Sequence, residues 1–145
     1  MELLPISNLP EENRQFLENP WHREICQMTL DFYQRVGFNP PWIGYMVMED
    51  GELVGTGGFK GKPVNGSVEI AYGTEEAHQK KGVGTAICRE LVLIAIHADS
   101  SLEITACTLP EKNFSTRILE KNRFQFVGTV QDPEDGEVWK WVYKG

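Results

Sequence analysis

The run from Val68 to Ala98 constrains this chain more than any other stretch. It opens with Val68-Glu69-Ile70-Ala71-Tyr72-Gly73, passes through Gln79-Lys80-Lys81-Gly82-Val83-Gly84-Thr85-Ala86, and continues as a long apolar-periodic segment. Physically this is a strand, a tight glycine turn carrying two cations, and a helix that begins inside the turn. Val83, Ala86, Ile87, Leu91, Ile94, Ala95 and Ala98 share one helical face, the pattern of a helix covering a sheet. A helix start leaves backbone N–H groups unpaired, and its dipole favours anions. Gly82 and Gly84 remove Cβ atoms that would hold a phosphate away from those donors. The stretch reads as a pyrophosphate cradle, although a glycine pair before a helix also serves plain strand–helix geometry.

The flanking segments build a sheet around that unit. Met1 to Pro5 reads as a short edge strand. Asn8 with Pro10-Glu11-Glu12 reads as a helix start, with a capping side chain, an early proline and acids near the positive end. A second helix follows Asn19-Pro20, with Trp21, Ile25, Met28, Phe32 and Val36 as one apolar stripe, and Gly37-Phe38-Asn39-Pro40-Pro41 ends it. Strands are predicted over Trp42–Met48, Leu53–Phe59 and Val68–Gly73, joined by Glu49-Asp50-Gly51 and a loop from Lys60 to Gly66, as an antiparallel meander. Leu102 to Cys107 should return parallel to the Val68 strand through a strand–helix–strand crossover. A short helix over Asn113–Asn122 and a hairpin of Phe124–Val130 with Glu137–Tyr143 complete the chain, which reads as one domain over residues 1–145.

Composition narrows the function classes. The chain has 145 residues, 41% of them apolar. No apolar run approaches the roughly 20 residues of a membrane helix, and the N-terminus lacks signal-peptide regions. A soluble cytoplasmic protein without a membrane partner is expected. Cys26, Cys88 and Cys107 are scattered, and His22, His78 and His97 pair with no cysteine at ligand spacing, so neither a disulfide framework nor a metal site is expected. With 14 basic against 21 acidic residues the net charge is −7, which argues against nucleic acid and suits a cationic amine. A homodimer is compatible with all of this.

There is no Gly-x-x-x-x-Gly-Lys-Ser/Thr and no Gly-x-Gly-x-x-Gly in the turn. Gln79-x-x-Gly82-x-Gly84 instead resembles the acetyl-CoA-binding signature Gln/Arg-x-x-Gly-x-Gly/Ala of the GNAT superfamily of N-acetyltransferases. Glu69-Ile70-Ala71-Tyr72-Gly73 resembles the strand preceding that signature in the branch related to ribosomal-protein alanine acetyltransferases. Thr108-Leu109-Pro110-Glu111, Asn113-x-Ser115-Thr116-Arg117-x-Leu119-Glu120-Lys121 and Phe124 resemble that branch's second cofactor segment. Pro40-Pro41-Trp42-Ile43-Gly44-Tyr45 and Glu137-Val138-Trp139-Lys140-Trp141 extend the likeness over most of the chain from Pro40 onward. The resemblance implies an α/β fold of the α+β type. Its central sheet is twisted, mixed and mostly antiparallel, with one splayed parallel pair and helices on both faces. Pantetheine is then expected in the wedge between the splayed strands.

The same resemblance implies an acetyl-CoA-dependent transfer of an acetyl group to a primary amine, by direct attack in a ternary complex. The acceptor is a protein N-terminus or a small amine; a non-catalytic acyl-CoA-binding domain is the alternative. Such a transfer needs a proton acceptor for the amine and a donor for the thioester oxygen. Glu69 is the candidate base, or else a structurally bonded glutamate. A backbone N–H at Ile70 or Ala71 is the implied oxygen donor, with Tyr72 on the same strand. Gln79 and the amides through Val83, Gly84 and Thr85 are assigned to the cofactor, Lys80 and Lys81 to its phosphates or to a solvated turn. Asn113 matches the family asparagine that bonds the pantetheine arm, or serves as a helix N-cap. Two departures stand out. Glu120 occupies the place of a tyrosine general acid, leaving Ser115, Tyr72 or water for that role, and Arg123 replaces the glycine before Phe124. Trp21 is the member of the Trp21, Phe32, Tyr33, Trp42 and Tyr45 cluster expected to touch substrate, the rest being mainly core.

Overall fold

A computed structural model describes residues 1–79 and 81–145 of the chain. The strands are β1 (Glu2–Pro5), β2 (Gly44–Glu49), β3 (Glu52–Phe59), β4 (Ser67–Thr74), β5 (Glu103–Thr108), β6 (Phe124–Asp132) and β7 (Gly136–Tyr143). They form one seven-stranded sheet in the order β1-β2-β3-β4-β5-β7-β6. Only the β4–β5 pair is parallel, and it is short, running from Ser67↔Glu103 to Glu69↔Thr105. Beyond Glu69 the two strands part. The mixed sheet, the crossover and the splayed pair are those the sequence implied.

The helices are α1 (Pro20–Val36), α2 (Val83–Ala98) and α3 (Phe114–Lys121). Asn19 starts α1, its Oδ1 accepting from Trp21 N at 2.8 Å. Register puts helices on opposite faces. A Cβ at Gly57 would meet Ile87 and Leu91 of α2, whereas one at Gly44 would meet Thr29 of α1. Gly44 pairs with Gly58 and Tyr45 with Gly57, so alternate residues of the meander face alternate helices. The core under α2 includes Ile70, Ile87, Leu91 and Ala106, all buried. Among the described residues no helix is long and apolar enough to cross a membrane.

Two local expectations are corrected. Asn8 caps nothing: the first helical segment is a 3-10 stretch from Pro10 to Phe16, with Leu9 at the N-cap and no side-chain cap. The buried Asn13 organises that turn instead, bonding both the N–H and the carbonyl of Ser7 at 2.9 Å. β2 begins at Gly44 rather than Trp42, because Trp42 N and Ile43 N bond back to Asn39 O and Pro41 O in a tight turn. The stripe on α1 is only partly covered, Ile25 packing against the core. Met28 is 59% exposed and Val36 38%, while the buried positions of the helix are His22, Cys26 and Tyr33.

Candidate active site

Two cavities open on opposite sides of the C-terminal half of β4. The first, of about 670 Å³, lies between the end of β4, the start of α2 and the face of α3. Its walls include Tyr72, Gly73, Thr74, Gln79, Gly82, Gly84, Thr85, Ser115, Arg117 and Lys121. Gly82 takes φ +80 at the N-cap of α2 and leaves open space around its Cα, and no side chain caps the helix. The amides of Val83, Gly84 and Thr85 therefore meet the cavity as an uncapped, electropositive helix end. This donor set fits a pyrophosphate.

Gly84 lines the cavity and also admits the neighbouring helix. A Cβ there would lie 2.6 Å from Ile118 Cδ1, so the missing side chain lets α3 close on α2. Asn122 Nδ2 seals the same contact, donating to Thr85 O at 3.1 Å. Gln79 lines the cavity and also ties the loop to the strand, its Nε2 donating to Thr74 O at 3.1 Å. Val83 packs against the core and Lys81 is exposed outside the cavity wall. Lys80 lies outside the described residues.

The cations that do line this cavity are Arg117 and Lys121, which sequence reasoning missed. With Phe114 and Ile118 they fall at i, i+3, i+4 and i+7 of α3, so helical spacing was the available signal. Asn113 acts as the N-cap. Its Oδ1 accepts from Thr116 N at 3.2 Å while Thr116 Oγ1 accepts from Asn113 N at 3.0 Å, a reciprocal capping box. That carbonyl is thus engaged on its own helix. Glu120 is exposed and does not line the cavity. Arg123, in the place of that glycine, takes the left-handed conformation, φ +66.

The second cavity, about 560 Å³, lies on the α1 face. Trp21, Ile25, Met28 and Phe32 line it from α1, Ala71 to Gly73 from β4, and Asp132 to Glu134 from the β6–β7 turn. Tyr33 also borders it although largely buried, Tyr45 is buried away from it, and Trp42 stacks edge-on against Phe59. Tyr72 and Gly73 line both cavities.

Backbone direction along β4 follows from two bonds. Lys60 N donates to Glu69 O at 2.9 Å, and Glu75 N to Val54 O at 3.2 Å. Residues alternate, so positions 69, 71, 73 and 75 direct their backbone groups to β3. Ala71 is thereby committed to its β3 partner Gly58, whereas Tyr72 and Thr74 direct theirs into the split beyond Glu69↔Thr105. Ile70 is buried in the core. Of the donors expected on this strand, the amides of Ile70 and Tyr72 share that direction, and Tyr72 is the one whose residue borders both cavities.

Glu69 lies on the same face of β4 as Ala71 and Gly73, at the last pair before the split. Lys60 Nζ stands 2.9 Å from its Oε2. That contact is ionic, and its angles fall short of a hydrogen bond. Burial pulls Lys60 down and the Glu69 carboxylate pushes it up, leaving it above the ordinary lysine value. The phenol of Tyr72 is shifted strongly upward by burial, and its hydroxyl donates to Ser115 O at 3.3 Å. The thiol of Cys107 is pushed up to about 11, by burial and then by Glu69.

This geometry agrees with the comparisons to known proteins. The model of the acetyltransferase (GNAT) domain matches residues 3–125. The N-acetyltransferase YjdG of Bacillus subtilis (strain 168) is 31% identical over 134 residues, covering 90% of this chain and 73% of that protein. A GNAT-family acetyltransferase from Bordetella pertussis superposes with a TM-score of 0.66 at 20% identity, over 98% of this chain and 94% of that one. The aminoglycoside acetyltransferase AAC(6')-Ib, solved with coenzyme A and kanamycin, gives 0.68 at 19% identity, over 99% and 92%. RimL, a ribosomal alpha-N-protein acetyltransferase solved with coenzyme A, gives 0.66 at 16% identity, over 97% and 91%. The chain belongs to the GNAT acetyltransferase family, enzymes that move an acetyl group from acetyl-CoA to an amine. Among the described residues no cluster of three or more His, Cys, Asp or Glu could hold a metal ion.

Proposed function

We propose that the chain acetylates a primary amine by direct transfer, with acetyl-CoA in the α2–α3 cavity and the amine in the α1 cleft. The observation that carries this is the shared wall: Tyr72 and Gly73 border both cavities. Two ligands approaching from opposite sides would meet at that strand, which is the orientation effect a bimolecular transfer needs. When bound, acetyl-CoA supplies the activated acetyl thioester. The chain supplies the rest. The amides of Val83, Gly84 and Thr85, with Arg117 and Lys121, hold phosphates at the end of the site. The Tyr72 amide, directed into the split, donates to the thioester oxygen as negative charge develops there. Glu69 takes the proton of the attacking amine, and Lys60 pairs with that carboxylate. The hydroxyls of Tyr72 and Ser115, joined through the Ser115 backbone, stand ready to protonate the departing thiolate.

Turnover of an amine panel with acetyl-CoA tests this reading. Release of CoA with matching acetylation of one amine is expected. Tight CoA binding without acetylation of any amine would instead make the chain a non-catalytic acyl-CoA-binding domain.

A further inference from the structure

We infer that the acceptor is a primary amine carried on an apolar body of about aromatic size, bound with that body against α1. The inference rests on the acetyltransferase reading above and narrows its substrate class. Trp21, Ile25, Met28 and Phe32 recur at the spacing of a single helical face. That face borders the cleft and is left open, with Met28 59% exposed. An apolar stripe of this kind is ordinarily covered by core, and an open one rimmed by charge marks a binding surface. The cavity of about 560 Å³ is of small-molecule size.

The charges point the same way. Arg35 and Lys60 line the cleft beside Asp132 and Glu134, two cations against two carboxylates, so the lining is neutral although the chain carries −7. Three of these four charges have an ionic partner, and Asp132 is held by backbone N–H groups. Glu134 Oε1 lies 3.4 Å from Arg35 Nη1, and Lys60 pairs with Glu69. Asp132 Oδ1 accepts from Glu134 N and Asp135 N at 2.8 and 3.0 Å. A polyamine or an aminoglycoside would bring several cations to a cleft where, among the described residues, Asp132 is the one lining carboxylate without an ionic partner, leaving most of that charge unmatched. An apolar body needs no such partners and gains from contact with Trp21 and Phe32. The required chemistry, an amine next to an apolar side chain, is met by a free arylalkylamine or by the first residue of a peptide.

The test separates binding from turnover. CoA-saturated protein is titrated calorimetrically with phenethylamine, ethylamine, spermidine, kanamycin and two pentapeptide amides, one beginning with Phe and one with Ser. The same amines are then assayed with acetyl-CoA. Phenethylamine or the Phe peptide should bind about 10- to 100-fold tighter than ethylamine, the Ser peptide or the polycations. Which of the two leads identifies the source. Phe32→Ala with Met28→Ser should erase that preference, with CoA affinity serving as the control for folding. Tighter binding of spermidine or kanamycin overturns the inference, as does a preference that survives the double substitution, or no amine binding at all. Selective binding without acetyl transfer would leave the inference standing and remove the enzymatic reading. Acetyl transfer led by a polycation would do the reverse.

Discussion

Lys60 Nζ stands 2.9 Å from Glu69 Oε2 at the last residue pair before β4 and β5 separate. The ammonium balances the charge of the carboxylate at that point. The pair also fixes the carboxylate on the acceptor side of the strand.

Glu69→Gln keeps the size of the side chain and cannot accept the amine's proton. Turnover should fall by about 10²–10⁴ while CoA affinity is unchanged. Activity should recover partly at high pH, where free amine is abundant. The ion pair also has a stability signature. Lys60 lies above its ordinary 10.5, so its contribution is fully present below that value and is lost as pH rises through the higher folded value. Glu69→Gln should therefore lower the melting temperature at neutral pH, and less so in strong alkali. Full activity in a stably folded Glu69→Gln protein would transfer the base role elsewhere.

Gly84 and Gly82 should respond differently to alanine. Gly84→Ala places a Cβ 2.6 Å from Ile118 Cδ1, so that the end of this side chain must shift within the α2–α3 contact. Both melting temperature and CoA affinity should drop. Gly82→Ala meets no neighbour but must adopt φ +80, a left-handed conformation costing roughly 1–2 kcal/mol. Gly82→Asn should be milder, since asparagine tolerates that region. Equal melting temperatures for the Gly84→Ala and wild-type proteins would show that the helices close without the glycine.

The fold was legible because its elements carry strong local signals. The α2 periodicity, the Asp50-Gly51 turn and the Asp132–Gly136 hairpin each place a boundary within a residue or two of the observed one. The site was less legible. Apolar periodicity marks a face without saying what covers it, so the α1 stripe did not reveal that it borders the cleft. Gly84 carries the same spacing signal whether it admits a phosphate or a neighbouring helix. Arg117 and Lys121 sit in a short amphipathic helix, where a cation facing a cavity and one facing solvent share the same pattern. Tyr72's amide leaves no side-chain trace, and only the bonds from Lys60 and Glu75 reveal the direction in which it points.

Arg117→Ala with Lys121→Ala should weaken CoA binding and flatten its salt dependence, because both cations line the α2–α3 cavity. Lys81→Ala, at an exposed site off that wall, should do less. Comparing CoA with dephospho-CoA separates the phosphates. A loss confined to CoA places the two cations on the 3′-phosphate, whereas equal losses place them on the pyrophosphate. Unchanged binding of both ligands would remove α3 from cofactor recognition.

His22 supplies an acid-side prediction. It is 1% exposed on α1, and neither ring nitrogen has a hydrogen-bond partner among the described residues. Burial lowers its pKa below the ordinary 6.5, the Glu75 carboxylate opposes that shift, and His78 adds to it. The sign follows from proton counting. Above 6.5 the ring is neutral in both folded and unfolded chains and contributes no pH dependence. As pH falls below that value the unfolded chain binds a proton that the folded one refuses, so stability declines until the lowered folded value is reached. His22→Leu removes the titration and replaces two unpartnered nitrogens with apolar surface, a change that is near neutral or stabilising at neutral pH. Its melting temperature should match or exceed that of the wild type at pH 7.5, and it should fall less steeply from pH 6.5 down to about pH 5. Asn19 Nδ2 ties the N-terminus of α1 to Glu75 Oε2 at 3.1 Å, so acid loosening at His22 should reach the loop before α2. Hydrogen exchange at residues 75–79 should therefore accelerate in acid in the wild type and stay slower in His22→Leu. Identical acid profiles for the two proteins would place the proton uptake on another group.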